Sequence, residues 1–131
     1  MPHVLLDANV ILRFTLDDHE VLSAQATAYF DRAAAGEFVL VVPTVTLAEC
    51  VYTMSKFYKL GRQEIVLGLE TLLSLPNVEP QETALRPALQ LFAAHNLDFA
   101  DAYLAALGAD LGDRVASFDR NLGKLDAAVL E

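Results

Sequence analysis

Four acids stand out for where they sit in the chain: Asp7, Glu49, Asp101 and Asp119. Asp7 ends the apolar run His3-Val4-Leu5-Leu6 and precedes Ala8-Asn9 and a second apolar run. Glu49 follows the β-branched run 38–42 and Pro43 by a few residues. Asp101 opens a nearly continuous apolar stretch, and Asp119 comes two residues after Arg114-Val115-Ala116-Ser117. A carboxylate at the end of an apolar strand is costly unless a cation, a donor or water meets it. If the four converge, their chemistry narrows quickly. Like charges ~5 Å apart repel by about 3 kcal/mol per pair at an effective dielectric near 20, so such a set must protonate, spread apart or bind a cation. Carboxylates with water, and no histidine or cysteine cluster among them, suit Mg²⁺ or Mn²⁺.

Each acid also has an ordinary reading. Glu49 with Thr46 fits a capping box, T-x-x-E. Asp101 with Asp98 makes a weaker cap pattern, and acids in a first helical turn are common dipole partners. Asp119-Arg120-Asn121 is usual turn chemistry. Asp7 is the hardest to dismiss in this way.

Hydrophobic periodicity supplies the elements that would place these residues. The expected order is a buried first strand ending at Asp7, then a short helix from Ala8 to about residue 16. A longer helix covers about 20–35, with Leu22, Ala26, Tyr29, Phe30 and Ala33 at helical spacing and Gly36 at its stop. Residues 38–42 form the second strand. A helix to about Tyr58 follows, burying Leu47, Cys50, Val51, Met54, Phe57 and Tyr58, with Glu49 off that stripe in the first turn. Another helix runs over about 62–75, and 76–80, bracketed by prolines, suits only an edge strand. A helix over about 84–95 buries Leu85, Ala88, Leu89 and Phe92. A helix over 99–111 is apolar almost all round and therefore central, with Ala105 and Gly108 as a small-residue face. A fourth strand at 114–117 and a weak last strand at 127–130 complete the series. Strands alternating with helices mean an α/β sandwich around a mostly parallel sheet. A helix that leads into a parallel strand starts at that strand's carboxyl end, so all four acids are expected on one rim of the sheet, where α/β folds place ligands.

Composition bounds the rest. The 131 residues suffice for one domain, 1–131, burying about two-thirds of the unfolded surface. No apolar run approaches the roughly 18 residues of a membrane span. No basic segment followed by an apolar one opens the chain, so a cytoplasmic protein is expected. The one cysteine, Cys50, excludes an intrachain disulfide and reads as core packing. His3, His19 and His95 share no spacing that suggests a triad or a zinc site. A formal charge of −9 argues against general polyanion binding. It is compatible with an enzyme whose acids gather around cations, and with a basic protein partner.

Four segments, LLDANVIL (5–12), VTLAECVY (45–52), LDFADAYLAALGADLG (97–112) and VASFDRNL (115–122), together span nearly the whole chain. At these spacings the sequence resembles the PIN-domain family, most closely the VapC-type ribonuclease toxins of toxin–antitoxin pairs. The resemblance implies a three-layer α/β sandwich with strand order 3-2-1-4-5 and metal-dependent RNA cleavage. It also implies a homodimer and a cognate antitoxin that blocks the site. The family's acidic quartet falls on Asp7, Glu49, Asp101 and Asp119. Asp7, Asp101 and Asp119 would hold Mg²⁺ or Mn²⁺, and Glu49 would complete the site or orient the attacking water. Asn9 and Ser117 match supporting polar positions, and Asp98 is an additional acid without an assigned role.

Contacts to RNA are expected from Arg13, Lys56, Lys59, Arg62 and Arg120, with Tyr52 or Tyr58 available for stacking. Surface solubility and local ion pairing are the competing reading of these cations. Two other functions compete with the nuclease. One is a catalytically inactive PIN-like binding domain, against which the retention of all four acids argues. The other is a haloacid-dehalogenase-type phosphatase, which would want a second acid where this chain has Asn9.

Overall fold

A computed structural model describes residues 1–123 and 130 of the chain. The chain divides into two compact units, Met1–Gln81 and Glu82–Glu131.

The first unit holds β1 (His3–Leu5), α1 (Ala8–Leu16), α2 (Glu20–Ala34), β2 (Val39–Val42), α3 (Thr44–Lys56), α4 (Arg62–Leu73) and β3 (Val78–Pro80). Its strands are parallel in the order β1-β2-β3, with Leu5 opposite Val41 and Val41 opposite Glu79. This is the α/β, parallel-sheet architecture expected, and its 3-2-1 portion has the expected strand order. Successive residues of β2 point to opposite faces, yet Val39, Leu40 and Val42 are all buried, so both faces of the central strand are covered. β3, bracketed by prolines, sits at an edge as expected. Stacking of Phe14 on Phe30, 4.1 Å between ring centroids, joins α1 to α2.

Several expectations need correction here. β1 is not buried: its pattern leaves His3 and Leu5 exposed, Leu5 at 70%. It lies at an end of the three-stranded order, and the burial of the apolar run falls instead on Leu6, Ala8, Ile11 and Leu12. In α2 the buried stripe is Ser23, Ala26, Phe30 and Ala33, while Leu22 and Tyr29 face outward. α3 stops at Lys56 rather than Tyr58. Beyond it Lys59 turns the chain with φ 57°, and Leu60 N–H donates to the Met54 carbonyl at 3.0 Å. Helical periodicity no longer governs past that stop, which leaves Phe57 and Tyr58 exposed.

The second unit holds α5 (Leu85–Ala94), α6 (Phe99–Leu111) and the short α7 (Arg120–Gly123). α5 buries Leu85, Ala88, Leu89 and Phe92 as expected, and packs on α6 through an edge-on contact of Phe92 with Phe99. α6 is not covered all round, since Leu104 and Leu111 are exposed. It ends at Gly112, whose φ of 71° is a left-handed conformation that glycine adopts without the clash of a Cβ. The chain then turns back along α6. It passes so close to Gly108 that a Cβ there would stand 3.0 Å from the Asp113 carbonyl oxygen and 3.3 Å from Val115 Cγ2. The small-residue face expected at Ala105 and Gly108 thus receives its own chain, and Ala105, Val115 and Leu122 form a buried cluster there. The fourth strand expected at 114–117 amounts to a single bridging residue, Val115. Of the strand expected at 127–130 only Leu130 is described, its N–H donating to the Val115 carbonyl at 2.7 Å. The remaining positions of that strand lie outside the described residues. No helix among the described residues is long and apolar enough to cross a membrane.

The Gly108 contact is with backbone, which cannot swing aside as a side chain can. Gly108→Ala is therefore expected to destabilise the protein by about 1–3 kcal/mol in urea denaturation. Gly61→Ser, at a helix start where an added Cβ meets nothing within 4 Å, is expected to change stability by only a few tenths of a kcal/mol. Equal stabilities for the two variants would contradict the packing described.

Candidate functional site

The acids occur as two pairs, one in each unit. In the first unit, Leu6 N–H extends the β1–β2 pairing by donating to the Val41 carbonyl at 2.9 Å, and Asp7 follows as the N-cap of α1. Asp7 Oδ1 accepts from Ala8 N–H at 2.9 Å, so the backbone that starts the helix fixes the carboxylate. Because β2 runs parallel to β1, α3 leaves the sheet on the same rim. Glu49 lies in its second turn, not its first, because α3 starts at Thr44 immediately after Pro43. Thr46 is thus inside the helix, and Pro43 at the N-cap position makes no side-chain cap bond. The first N–H of α3, that of Thr44, donates to Gln81 Oε1 at 3.0 Å. The capping-box reading of Glu49 falls, and the glutamate is exposed with no structural task of that kind.

Cys50 links the two acids of this pair. It is fully buried, and its Sγ contacts the Ala8 carbonyl oxygen at 3.8 Å, tying α3 to the first residue of α1. Burial above all, then the nearby negative charges of Glu49 and Asp7, push the thiol up to about 12. The expectation of a packed, inert cysteine holds, and both carboxylates lie close enough to act on it.

In the second unit the geometry follows from helix and strand rise. From Gly108 back to Asp101, seven residues of α6 span about 10.5 Å. From Val115 to Asp119, four residues with a bend at Phe118 span at most about 13 Å. A segment that turns at Gly112 and crosses Gly108 therefore brings Asp119 alongside Asp101 in the first turn of α6. The two carboxyls come within hydrogen-bonding reach. Asp101 is held above the usual carboxylate range, first by partial burial, then by the charge of Asp119 and a hydrogen bond with it, and last by the charge of Asp98. Asp98 occupies the N-cap position of α6, but its side chain makes no cap bond, so the cap reading of that pair falls too. The turn reading of Asp119 is correct without being complete: its Oδ1 accepts from Asn121 N–H at 2.9 Å. Ser117 Oγ accepts from Asp119 N–H at 3.0 Å, which gives the supporting role expected of Ser117 a concrete form.

The remaining candidates divide. Asn9 and Arg13, one helical turn apart on α1, line a hollow of about 400 Å³ together with Leu22, Gln25 and Tyr29. Arg13 is held at 3.1 Å by Asp18, which also accepts from Tyr58 Oη at 3.3 Å, so local pairing engages both. Lys56 and Lys59 are exposed and Arg62 is half-buried around the α3–α4 break. Tyr52 is exposed, one turn beyond Glu49 on α3. Arg120 is exposed directly after Asp119. His19 serves as a helix cap, its Nδ1 accepting from Leu22 N–H at 3.1 Å. Phe118, which follows the strand expected at 114–117 and receives no role from the sequence, is fully exposed at 108% of its reference surface. The signal available for it was its place between Ser117 and Asp119, outside any apolar periodicity.

Among the described residues no group of three or more His, Cys, Asp or Glu side chains gathers closely enough to hold an ion. Either pair alone is thus an incomplete cage, needing water or further carboxylates. As a donor set the pairs fit a hard divalent cation: all ligands are carboxylate oxygens, and the Asp101–Asp119 repulsion is the kind that such a cation relieves.

Similarity to known proteins is consistent with this geometry. The family model for the PIN domain matches residues 4–128. A VapC ribonuclease of Aquifex aeolicus (strain VF5) is 31% identical over 124 residues, which cover 92% of this chain and 90% of that protein. These similarities give the dehalogenase-type alternative no support.

The raised Asp101 carboxyl sets a pH dependence. Its protonated form contributes stability that is complete below the ordinary value of 3.8 and is lost as pH rises through the raised value. In cation-free buffer, Asp119→Asn is expected to gain in melting temperature relative to the native sequence across that window, and Mg²⁺ is expected to close the gap. Parallel melting-temperature profiles, with and without Mg²⁺, would contradict the pairing. Cys50 is expected to resist a thiol reagent at neutral pH until the protein is unfolded. Rapid labelling of the native protein would show that it is not buried as described.

Proposed function

This chain belongs to the PIN-domain family, and from that premise we propose that it is a Mg²⁺- or Mn²⁺-dependent endoribonuclease, the toxin of a VapBC-type toxin–antitoxin pair. The observation that carries this reading is the Asp101–Asp119 pair: two carboxyls brought together by backbone, in which capping does not account for Asp101. Asp7, Asp101 and Asp119 would hold the cation, with Glu49 completing the site. When bound, the cation supplies charge neutralisation at the phosphodiester and acidifies water for attack on phosphorus.

The residues of this chain do the rest. Asp7 and Asp119 each have one oxygen fixed by a backbone N–H, so their carboxylates are oriented before any ligand arrives. Ser117 holds the Asp119 backbone in place. Glu49 is exposed and uncapped, and in this reading it accepts a proton from the attacking water or orients that water. Arg120, next to Asp119, suits a phosphate contact better than Arg13, which is engaged by Asp18. A cognate antitoxin, a homodimer and a cytoplasmic setting complete the proposal from the family resemblance. An inactive binding domain would have no use for the repulsion between Asp101 and Asp119.

Asp7→Asn and Asp119→Asn, each still folded by circular dichroism, are expected to slow Mn²⁺-dependent cleavage of RNA by at least about a hundredfold. Chelation of the metal is expected to abolish cleavage by the native sequence, and added Mn²⁺ to restore it. Cleavage at the native rate by a folded Asp7→Asn protein would contradict this assignment.

A further inference from the structure

The ring of Phe118 has no packing role among the described residues. It is fully exposed, although its sequence neighbours are anchored: Ser117 Oγ accepts from Asp119 N–H, and Asp119 Oδ1 accepts from Asn121 N–H. A large apolar side chain is thus presented to solvent from a turn that the backbone holds in place. Three consecutive residues then offer a flat π-face, a carboxylate and an exposed guanidinium, at Phe118, Asp119 and Arg120. Those are groups suited to an unpaired base, a cation and a phosphate.

The charge of the whole chain sharpens the point. At −9 the molecule repels a polyanion, so affinity for RNA cannot come from a general positive field. It must come from local contacts that do not depend on net charge, and stacking of a base on an aromatic ring is the strongest of these. Tyr58, one of the two aromatics considered for stacking, is bonded through its hydroxyl to Asp18. Phe118 is more exposed than either tyrosine and sits next to a site carboxylate.

Resting on the ribonuclease reading, we propose that Phe118 is a substrate-binding residue that stacks on an unpaired base beside the scissile phosphate. A base inside a duplex has both faces covered by its neighbours and offers Phe118 nothing.

The test uses the full chain and a fluorescently labelled single-stranded RNA oligonucleotide, with the same oligonucleotide annealed to its complement as the second arm. Phe118→Ala is expected to raise KM roughly tenfold on the single strand, the size of one base–aromatic stack, and to leave the duplex unchanged. Phe118→Leu, which keeps apolar bulk without a π-face, is expected to behave like Phe118→Ala, whereas Phe118→Trp retains the native KM. The chain has no tryptophan, so Phe118→Trp also introduces a single fluorophore. Its emission is expected to be quenched by the single strand in EDTA, where nothing is cleaved. Native cleavage with unchanged KM in Phe118→Ala, or full rescue by Phe118→Leu, overturns the stacking role and leaves the ring to a protein partner. Quenching without any cleavage by the native chain supports the base contact while the ribonuclease reading fails. Neither quenching nor cleavage overturns both.

Discussion

Asp101 and Asp119 are brought within hydrogen-bonding reach by the course of the backbone, which turns at Gly112 and crosses Gly108. Two carboxylates this close repel by about 3 kcal/mol at an effective dielectric near 20 if both stay ionised. The Asp101 carboxyl is raised first by partial burial and then by this neighbouring charge. Four features hold the geometry against the repulsion. Gly112 reverses the chain, Gly108 lets it pass, Ser117 fixes the turn, and Asn121 holds one oxygen of Asp119. None of these contacts is with Asp101 itself. The pair is set up by its surroundings, which is how a site keeps its geometry while its charges are unbalanced.

The first unit holds its two acids differently. Asp7 is fixed by the helix it caps, and Glu49 stands a turn and a half into α3 with no cap to make. Between them lies a thiol, Cys50, that cannot ionise at neutral pH because it is buried and flanked by negative charge. A charged or larger residue there would disturb the contact between α3 and the start of α1 on which the spacing of the two acids depends. The cysteine therefore serves the site through packing, and its chemistry is kept silent.

Much of this was legible in the sequence because the signals were local. The bounds of α1, α5 and α6, the edge position of β3 and the inertness of Cys50 follow from apolar spacing, prolines and glycines. The errors share a cause, which is that periodicity reports apolar residues and says little about where an element starts, stops or loses its cover. Starting α3 at Thr44 moved Glu49 by a turn, and stopping it at Lys56 exposed Phe57 and Tyr58. β1 looks buried by composition, yet His3 and Leu5 are exposed. The acids could be named from their settings and from the family resemblance. Their pairing within each unit could not be read directly, because it depends on the passage over Gly108 and on Cys50 reaching Ala8. Phe118 was missed because a single aromatic outside any periodic stripe carries no sequence signal of its exposure.

The proposed nuclease reading depends on the Asp101–Asp119 pair taking up a divalent cation. The most direct measurement follows the side-chain carboxyl resonances of the full chain by NMR during a Mg²⁺ titration at constant pH. Asp101 and Asp119 are predicted to shift together with one apparent affinity, while Asp17 and Asp31 stay still. Asp101 and Asp119 carboxyls that respond at separate concentrations, or an Asp101 resonance indifferent to Mg²⁺, would contradict the account.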